Sequence, residues 1–109
     1  MNTCPIEIVN CNLALSAKPK IHLYYHNKSD SKIRSIHFLW YGINSENKPA
    51  DNGVEDTGVS GGIDEKGLHP NEYGNNTWFS GGKTMKKVVA VWPSEVIYAD
   101  GRWWHAGRY

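Results

Sequence analysis

A chain of 109 residues, 39% hydrophobic and 21% charged, has the length of one domain and the composition of a folded rather than a disordered protein. Its formal net charge of +1 gives no electrostatic basis for binding nucleic acid or an anionic membrane, and no apolar run is long enough for a transmembrane helix. Five tryptophans and six tyrosines stand against two phenylalanines, a surplus of aromatics with a polar handle that suits a half-wet sheet or a binding surface better than an oily core.

Helical periodicity is nearly absent, and period-two alternation recurs along the chain. Ile6, Ile8 and Asn10 alternate with Glu7 and Val9 as a first strand. Over 20–26, Ile21, Leu23 and Tyr25 point one way and His22, Tyr24 and His26 the other. A cluster of turn formers, Asn27 to Ser31, leads into a strand over 33–43, with Ile36, Phe38 and Trp40 on one face. From Asn44 to Glu72 the chain is polar, glycine-rich and acidic. A structureless loop of that length is unusual, so one short edge strand is expected near Gly58 to Ile63.

Strands follow over 73–80 and 86–92. Pro93 interrupts the second, which marks an edge, a bulge or a crossing between sheets, and the strand resumes over 95–99. Asp100-Gly101 predicts a two-residue hairpin returning into a last strand over 102–105. About seven short strands separated by turns argue for an antiparallel sandwich or a small barrel. No repeat, low-complexity tract or domain boundary breaks the chain, so 1–109 reads as a single domain.

On one continuous strand, Cys4 and Cys11 fall on opposite faces, and at about 3.3 Å per residue they lie roughly 20 Å apart or more. A disulfide needs Cα atoms within about 7 Å, so they pair only if the segment folds back at Pro5 or Asn10. Free thiols and pairing with another segment or chain stay equally open, and the cysteines do not set the compartment.

The order Ile21-His22-Leu23-Tyr24-Tyr25-His26-Asn27, then Ser29, Ile33 and Ile36-His37-Phe38, resembles small bacterial immunoglobulin-like domains of the FxLyD-like group. Leu68-His69-Pro70-Asn71-Glu72 is similar to the leucine-x-proline-x-acid segment before the next strand of such domains. Val96 to Trp103 resembles their closing hairpin V-x-F-x-D-G-x-x-W, with Tyr98 in place of Phe and the Trp one place early. These pieces cover about two-thirds of the chain in order. The resemblance implies an immunoglobulin-like sandwich in a secreted or periplasmic setting, and it carries over no catalytic residues. Met1-Asn2-Thr3-Cys4-Pro5 has neither a basic region nor an apolar stretch, so it is not a signal peptide. Either the protein is cytosolic, or a leader has been removed and Met1 is an added start; the resemblance favours the second.

Candidate chemistry is sparse. His22 and His26 share a strand face, with His37 expected on the same face of the neighbouring strand, yet positions i and i+4 on a strand lie about 13 Å apart and cannot ligate one ion. No metal site and no cofactor is expected. Asp51-Asn52-Gly53-Val54-Glu55-Asp56 is oxygen-rich like a calcium loop but lacks its spacing and flanking helices. The serines sit mainly in turns, and Ser60 among glycines has no correctly placed lysine to make a phosphate loop. Asn27-Lys28-Ser29 and Asn75-Asn76-Thr77 fit the glycosylation acceptor pattern, which Asn-rich turns produce by chance.

The aromatic residues are the better lead. Adjacent Trp103 and Trp104 must face opposite ways, one into the core and one outward. The outward one, with Tyr109 and Tyr73 or Tyr41, is the candidate ligand face, because flat aromatics on a rigid sheet give contact area at low entropy cost. Trp103, Trp104, Tyr109 and Tyr73 are therefore the expected binding residues. The expectation is a non-catalytic protein- or glycan-binding module that takes its partner on a sheet face or on the 44–72 loop. A structural domain of a larger assembly and a small metal-dependent hydrolase are the alternatives.

Overall fold

The computed structural model describes residues 3–106. They form seven strands and no helix: β1 Ile6–Ala14, β2 Lys20–Asn27, β3 Ile33–Ile43, β4 Val59–Asp64, β5 Tyr73–Phe79, β6 Lys87–Tyr98 and β7 Trp103–His105. Two antiparallel sheets result, one of three strands in the order β1-β2-β5 and one of four in the order β4-β3-β6-β7. Of the sandwich and the small barrel that the alternation leaves open, the chain forms the all-β antiparallel sandwich, the architecture that the resemblance to immunoglobulin-like domains also implies. Its fourth strand lies beside β3, whereas the constant-type arrangement places the fourth strand on the first sheet.

Alternation explains why the sheets stack. Ile21, Leu23 and Tyr25 of β2 and Phe38 and Trp40 of β3 have no exposed surface, and they face each other across the sandwich. Each such side chain contributes about 1.5–3 kcal/mol by leaving water. Two polar groups of the core aromatics are paired: Trp40 Nε1 donates to the Ser80 carbonyl at 2.9 Å, and the Tyr25 hydroxyl donates to the Asp64 carboxylate from the opposite sheet.

Two local expectations need correcting and a third, left open, is resolved. β1 runs on to Ala14, because β2 offers it a full-length template; a bulge between Ile8 and Asn10 sets Val9 out of register. Of the outcomes expected at Pro93, β6 takes the bulge and runs on through it. Pro93 opposes Phe38 and Glu95 opposes His37, so Ser94 is the extra residue of a bulge, and its hydroxyl donates to the His37 carbonyl at 3.0 Å. The β6–β7 hairpin has a three-residue loop rather than two. The Tyr98 amide donates to the Arg102 carbonyl, and Gly101 takes the positive φ of +94° that closes such a loop. The edge strand expected inside the long polar segment is β4.

The rest of that segment is tied down at one end of the sandwich. The Ala50 amide donates to the Gly42 carbonyl at 3.0 Å, and the Gly58 amide to the Ala50 carbonyl at 2.8 Å. Asp51 Oδ1 accepts from the Thr84 hydroxyl at 2.7 Å and from the amides of Lys83 and Thr84 at 2.9 and 3.0 Å. The Thr84 hydroxyl foremost, then these amides, hold the carboxyl below its ordinary value of 3.8. A depressed folded value means that the contribution is complete above 3.8 and is lost as pH falls through the folded value. The Lys83 and Thr84 amides should therefore lose hydrogen-exchange protection on acidification from about pH 5 to about pH 2, whereas Asp51→Asn should flatten that dependence. Protection unchanged across the range in the unmodified protein would remove the carboxylate from the account.

Candidate functional site

The outward positions of the three-stranded sheet form a compact polar and aromatic face. Pairing places Glu7, His26 and Tyr73 in one row across β1, β2 and β5, then Asn10, Tyr24 and Asn75, then Asn12, His22 and Thr77. Two ring pairs brace it. His26 stacks on Tyr73 with centroids 4.2 Å apart and planes within 12°, and His22 stacks on Tyr24 at 4.5 Å and 7°. His22 Nε2 is hydrogen-bonded with Asn75 Oδ1 at 3.2 Å, which locks that imidazole to β5. Both tyrosines stay open to solvent, Tyr73 at 66% exposure and Tyr24 at 39%.

A groove of about 400 Å³ crosses this face, lined by Val9, Asn10, Asn12, Tyr24, Tyr73 and Asn75. The β1 bulge puts Val9 on its rim. Gly74 lies in its floor, where a Cβ would come within 3.0 Å of Leu68 and 3.1 Å of Tyr25. The lining holds no ionisable group except the tyrosine hydroxyls. Amides that both donate and accept, set among flat rings held by their neighbours, suit an uncharged ligand with many hydroxyl groups and apolar C–H faces.

Of the residues expected to bind, Tyr73 lies in this groove. Trp103 does not. It stands on β7 of the other sheet, 61% exposed and stacked on His105 at 4.7 Å, so Tyr73 and Trp103 lie on different faces of the sandwich. Trp104 turns inward and packs half-buried against the core. Tyr109 lies outside the described residues. Of the described members, Tyr73 and Trp103 are thus not brought together. Asn10, Asn12, Tyr24 and Asn75, which line the groove with Tyr73, are not in the expected set. Their shared signal is the outward half of each strand's alternation, which becomes a surface only once β5 is known to pair with β2.

The histidines also separate. His37 is not beside His22 and His26, because β2 and β3 belong to different sheets; it lies on the outer face of the four-stranded sheet, opposite Glu95. Among the described residues no three His, Cys, Asp or Glu side chains converge in a metal-holding group. The oxygen-rich segment is a set of local turns. Asn52 Oδ1 accepts from the Val54 and Glu55 amides, and Asp51 is engaged with Thr84. Cys4 and Cys11 are free thiols, and burial pushes both above their ordinary value.

No family model matches the chain, and no curated protein does. Among solved structures it is similar to a hypothetical protein from Peptoclostridium difficile 630, at 9% identity and a TM-score of 0.69, over 97% of this chain and 88% of that one. It is also similar to a DUF1425 family member from Shewanella sp. pv-4, at 17% identity and a TM-score of 0.49, over 81% of this chain and 73% of that one. The first likeness shows that the sandwich as a whole recurs in a bacterial protein; at such identity it speaks to the fold alone.

Proposed function

We propose that the chain is a non-catalytic glycan-binding module, secreted or at the cell envelope, that holds a sugar chain in the groove between Tyr24 and Tyr73. The observation that carries this reading is the groove's lining: two exposed tyrosines, each braced by a stacked histidine, with three asparagine amides around them. Rings fixed in this way offer their surface with little left to order on binding. The extracytoplasmic setting and kinship with FxLyD-like domains rest on the resemblance in the β2–β3 and β6–β7 segments.

Aromatic contacts are worth about 0.5–1.5 kcal/mol each beyond burial, so losing both tyrosines should weaken binding about tenfold or more. The test is titration calorimetry with soluble oligosaccharides released from bacterial cell-wall polysaccharide. It compares the unmodified chain, Tyr24→Ala with Tyr73→Ala, and Trp103→Ala. The tyrosine variant should lose affinity and the Trp103 variant keep it. Loss confined to Trp103→Ala would move the site to the other sheet. No heat from any oligosaccharide would end the glycan reading.

A further inference from the structure

The outer face of the four-stranded sheet has a different chemistry. An antiparallel sheet that faces water on one side ordinarily carries polar residues there. The three-stranded sheet follows that rule, and this one does not. Leu39 and Tyr41 of β3, Ile63 of β4, Trp92 and Ile97 of β6 and Trp103 of β7 all take outward register positions. Ile63 is 54% exposed and Trp103 61%. Cations stand only at the two ends of this face, Arg34 at the bulge between Ile33 and Ser35 and Lys87 opposite Ile43, and the one carboxylate between them is Glu95, set in a row between His37 of β3 and His105 of β7.

We propose that this face is the interface between two copies of the chain, packed sheet on sheet about a two-fold axis. Aromatic and aliphatic residues with charge depleted are the composition of an interface centre, and contiguous apolar surface of this kind is uncommon on a protein that stays alone. The charge pattern selects a second copy as the occupant. In a two-fold interface each patch meets itself. A carboxylate flanked by imidazoles in one row is self-complementary, since each Glu95 can oppose a histidine of the other copy. A strongly acidic or basic partner would find no matching set of charges.

The dimensions also fit. The outward positions, four each on β3 and β6, three on β4 and two on β7, at about 4.8 by 6.8 Å apiece cover roughly 420 Å² of flat sheet. Side-chain relief raises that flat area towards the about 800 Å² per partner of a standard interface. Sheets stacked in this way form the interior of sandwiches themselves. Such a dimer would turn the two three-stranded sheets outward on opposite sides. Two Tyr24–Tyr73 grooves facing away from each other would link separate ligand chains rather than grip one twice. The dimer itself does not depend on what the grooves bind.

Sedimentation velocity of the full chain from about 1 to 100 µM measures it directly, a span within which standard-size interfaces commonly associate. The expected result is a dimer at the upper end. Ile63→Lys with Trp103→Ser should weaken association at least about tenfold, because these positions lie within the buried patch. Both side chains are exposed in the single chain, and an unchanged far-ultraviolet circular dichroism spectrum verifies the fold. Tyr24→Ala with Tyr73→Ala, on the other sheet, should dimerise like the unmodified protein. A monomer at 100 µM, or about 100 times the lowest concentration, overturns the proposal. So does a dimer indifferent to Ile63→Lys and Trp103→Ser, or one dissolved by the tyrosine variant. Glycan titration is a separate readout, so failure here and failure of the groove reading can be told apart.

Discussion

Asn27→Ala should lower stability by about 3–5 kcal/mol, one of the largest effects a single polar substitution produces. Asn27 ends β2 with no exposed surface, where the chain leaves one sheet for the other. Its Nδ2 donates to the carbonyls of Ser31 at 2.9 Å and His69 at 3.0 Å, with a longer contact to Leu68 at 3.3 Å. Its Oδ1 accepts from the Ser29 amide at 3.0 Å and the Ser29 hydroxyl at 2.7 Å. Alanine removes these bonds at once, at about 0.5–1.5 kcal/mol each, and strands the Ser29 amide outright, while the Leu68, His69 and Ser31 carbonyls keep the Ile33 amide, the Glu72 amide and the Ser29 hydroxyl. Against a total of about 5–15 kcal/mol, that should lower the melting temperature by 10 °C or more, on the order of 4 °C per kcal/mol. Asn27→Asp is the sharper probe. It keeps the acceptor for Ser29 but turns a carboxylate towards the Ser31 and His69 carbonyls, so it should be at least as damaging as alanine at neutral pH. Thermal unfolding of the two variants decides the matter, and a shift of only a few degrees would sink the argument. The same bonds exclude Asn27 as a glycosylation acceptor, because its amide nitrogen is buried and in use. They also reach the groove, since the Asn27 amide donates to the Glu72 carbonyl at 2.9 Å, one residue before Tyr73.

The sandwich was legible because alternation is a local signal. Ile21, Leu23 and Tyr25, or Ile36, Phe38 and Trp40, declare a strand and its buried face without knowledge of any partner. What alternation cannot carry is which strands become neighbours. β2 and β3 are adjacent in sequence and lie in different sheets, so reading them as one ladder put His37 beside His22 and His26. β2 instead pairs with β5, and about 50 residues of intervening chain give no sign of it. The outward-facing residues were therefore visible strand by strand, while the groove they compose was not. Trp103 and Tyr73 were joined for the same reason: both are aromatic and outward, and only the sheet order parts them. At Pro93 an edge, a bulge and a crossing between sheets were all open, and the structure takes the bulge. A proline lacks one hydrogen-bond donor, and the Ser94 bulge absorbs that loss within a continuous strand.

Gly62→Leu should destabilise the sandwich by about 3–5 kcal/mol, and the reason lies in how the two sheets are pinned at their edges. Ser60, Gly61 and Gly62 invite comparison with a phosphate loop, yet Gly62 is an inward position of β4, paired with Phe38. The Trp78 indole of β5 lies directly on it, so a Cβ there would fall 2.6 Å from the ring. The same indole meets Phe38 at 5.7 Å and Trp40 at 5.8 Å. It joins the edge strand of one sheet to the edge strand of the other, and β4 can accept it only without a side chain. A leucine must evict it, with loss of buried aromatic contact and added strain, at a cost similar to an aromatic-to-alanine change. The double variant Gly62→Leu with Trp78→Ala separates this cause from a general intolerance of β4 to bulk. With the indole gone, the leucine fills part of its space, so the double variant should lie near Trp78→Ala alone and well short of the summed effects. Urea unfolding of the three proteins gives the coupling energy. Strict additivity would mean that Gly62 is required for the strand's own backbone and not for the ring above it. A coupling of 2 kcal/mol or more, about the upper range for residues in contact, would make the glycine and the tryptophan one structural device, placed where β5 turns its other face to the groove.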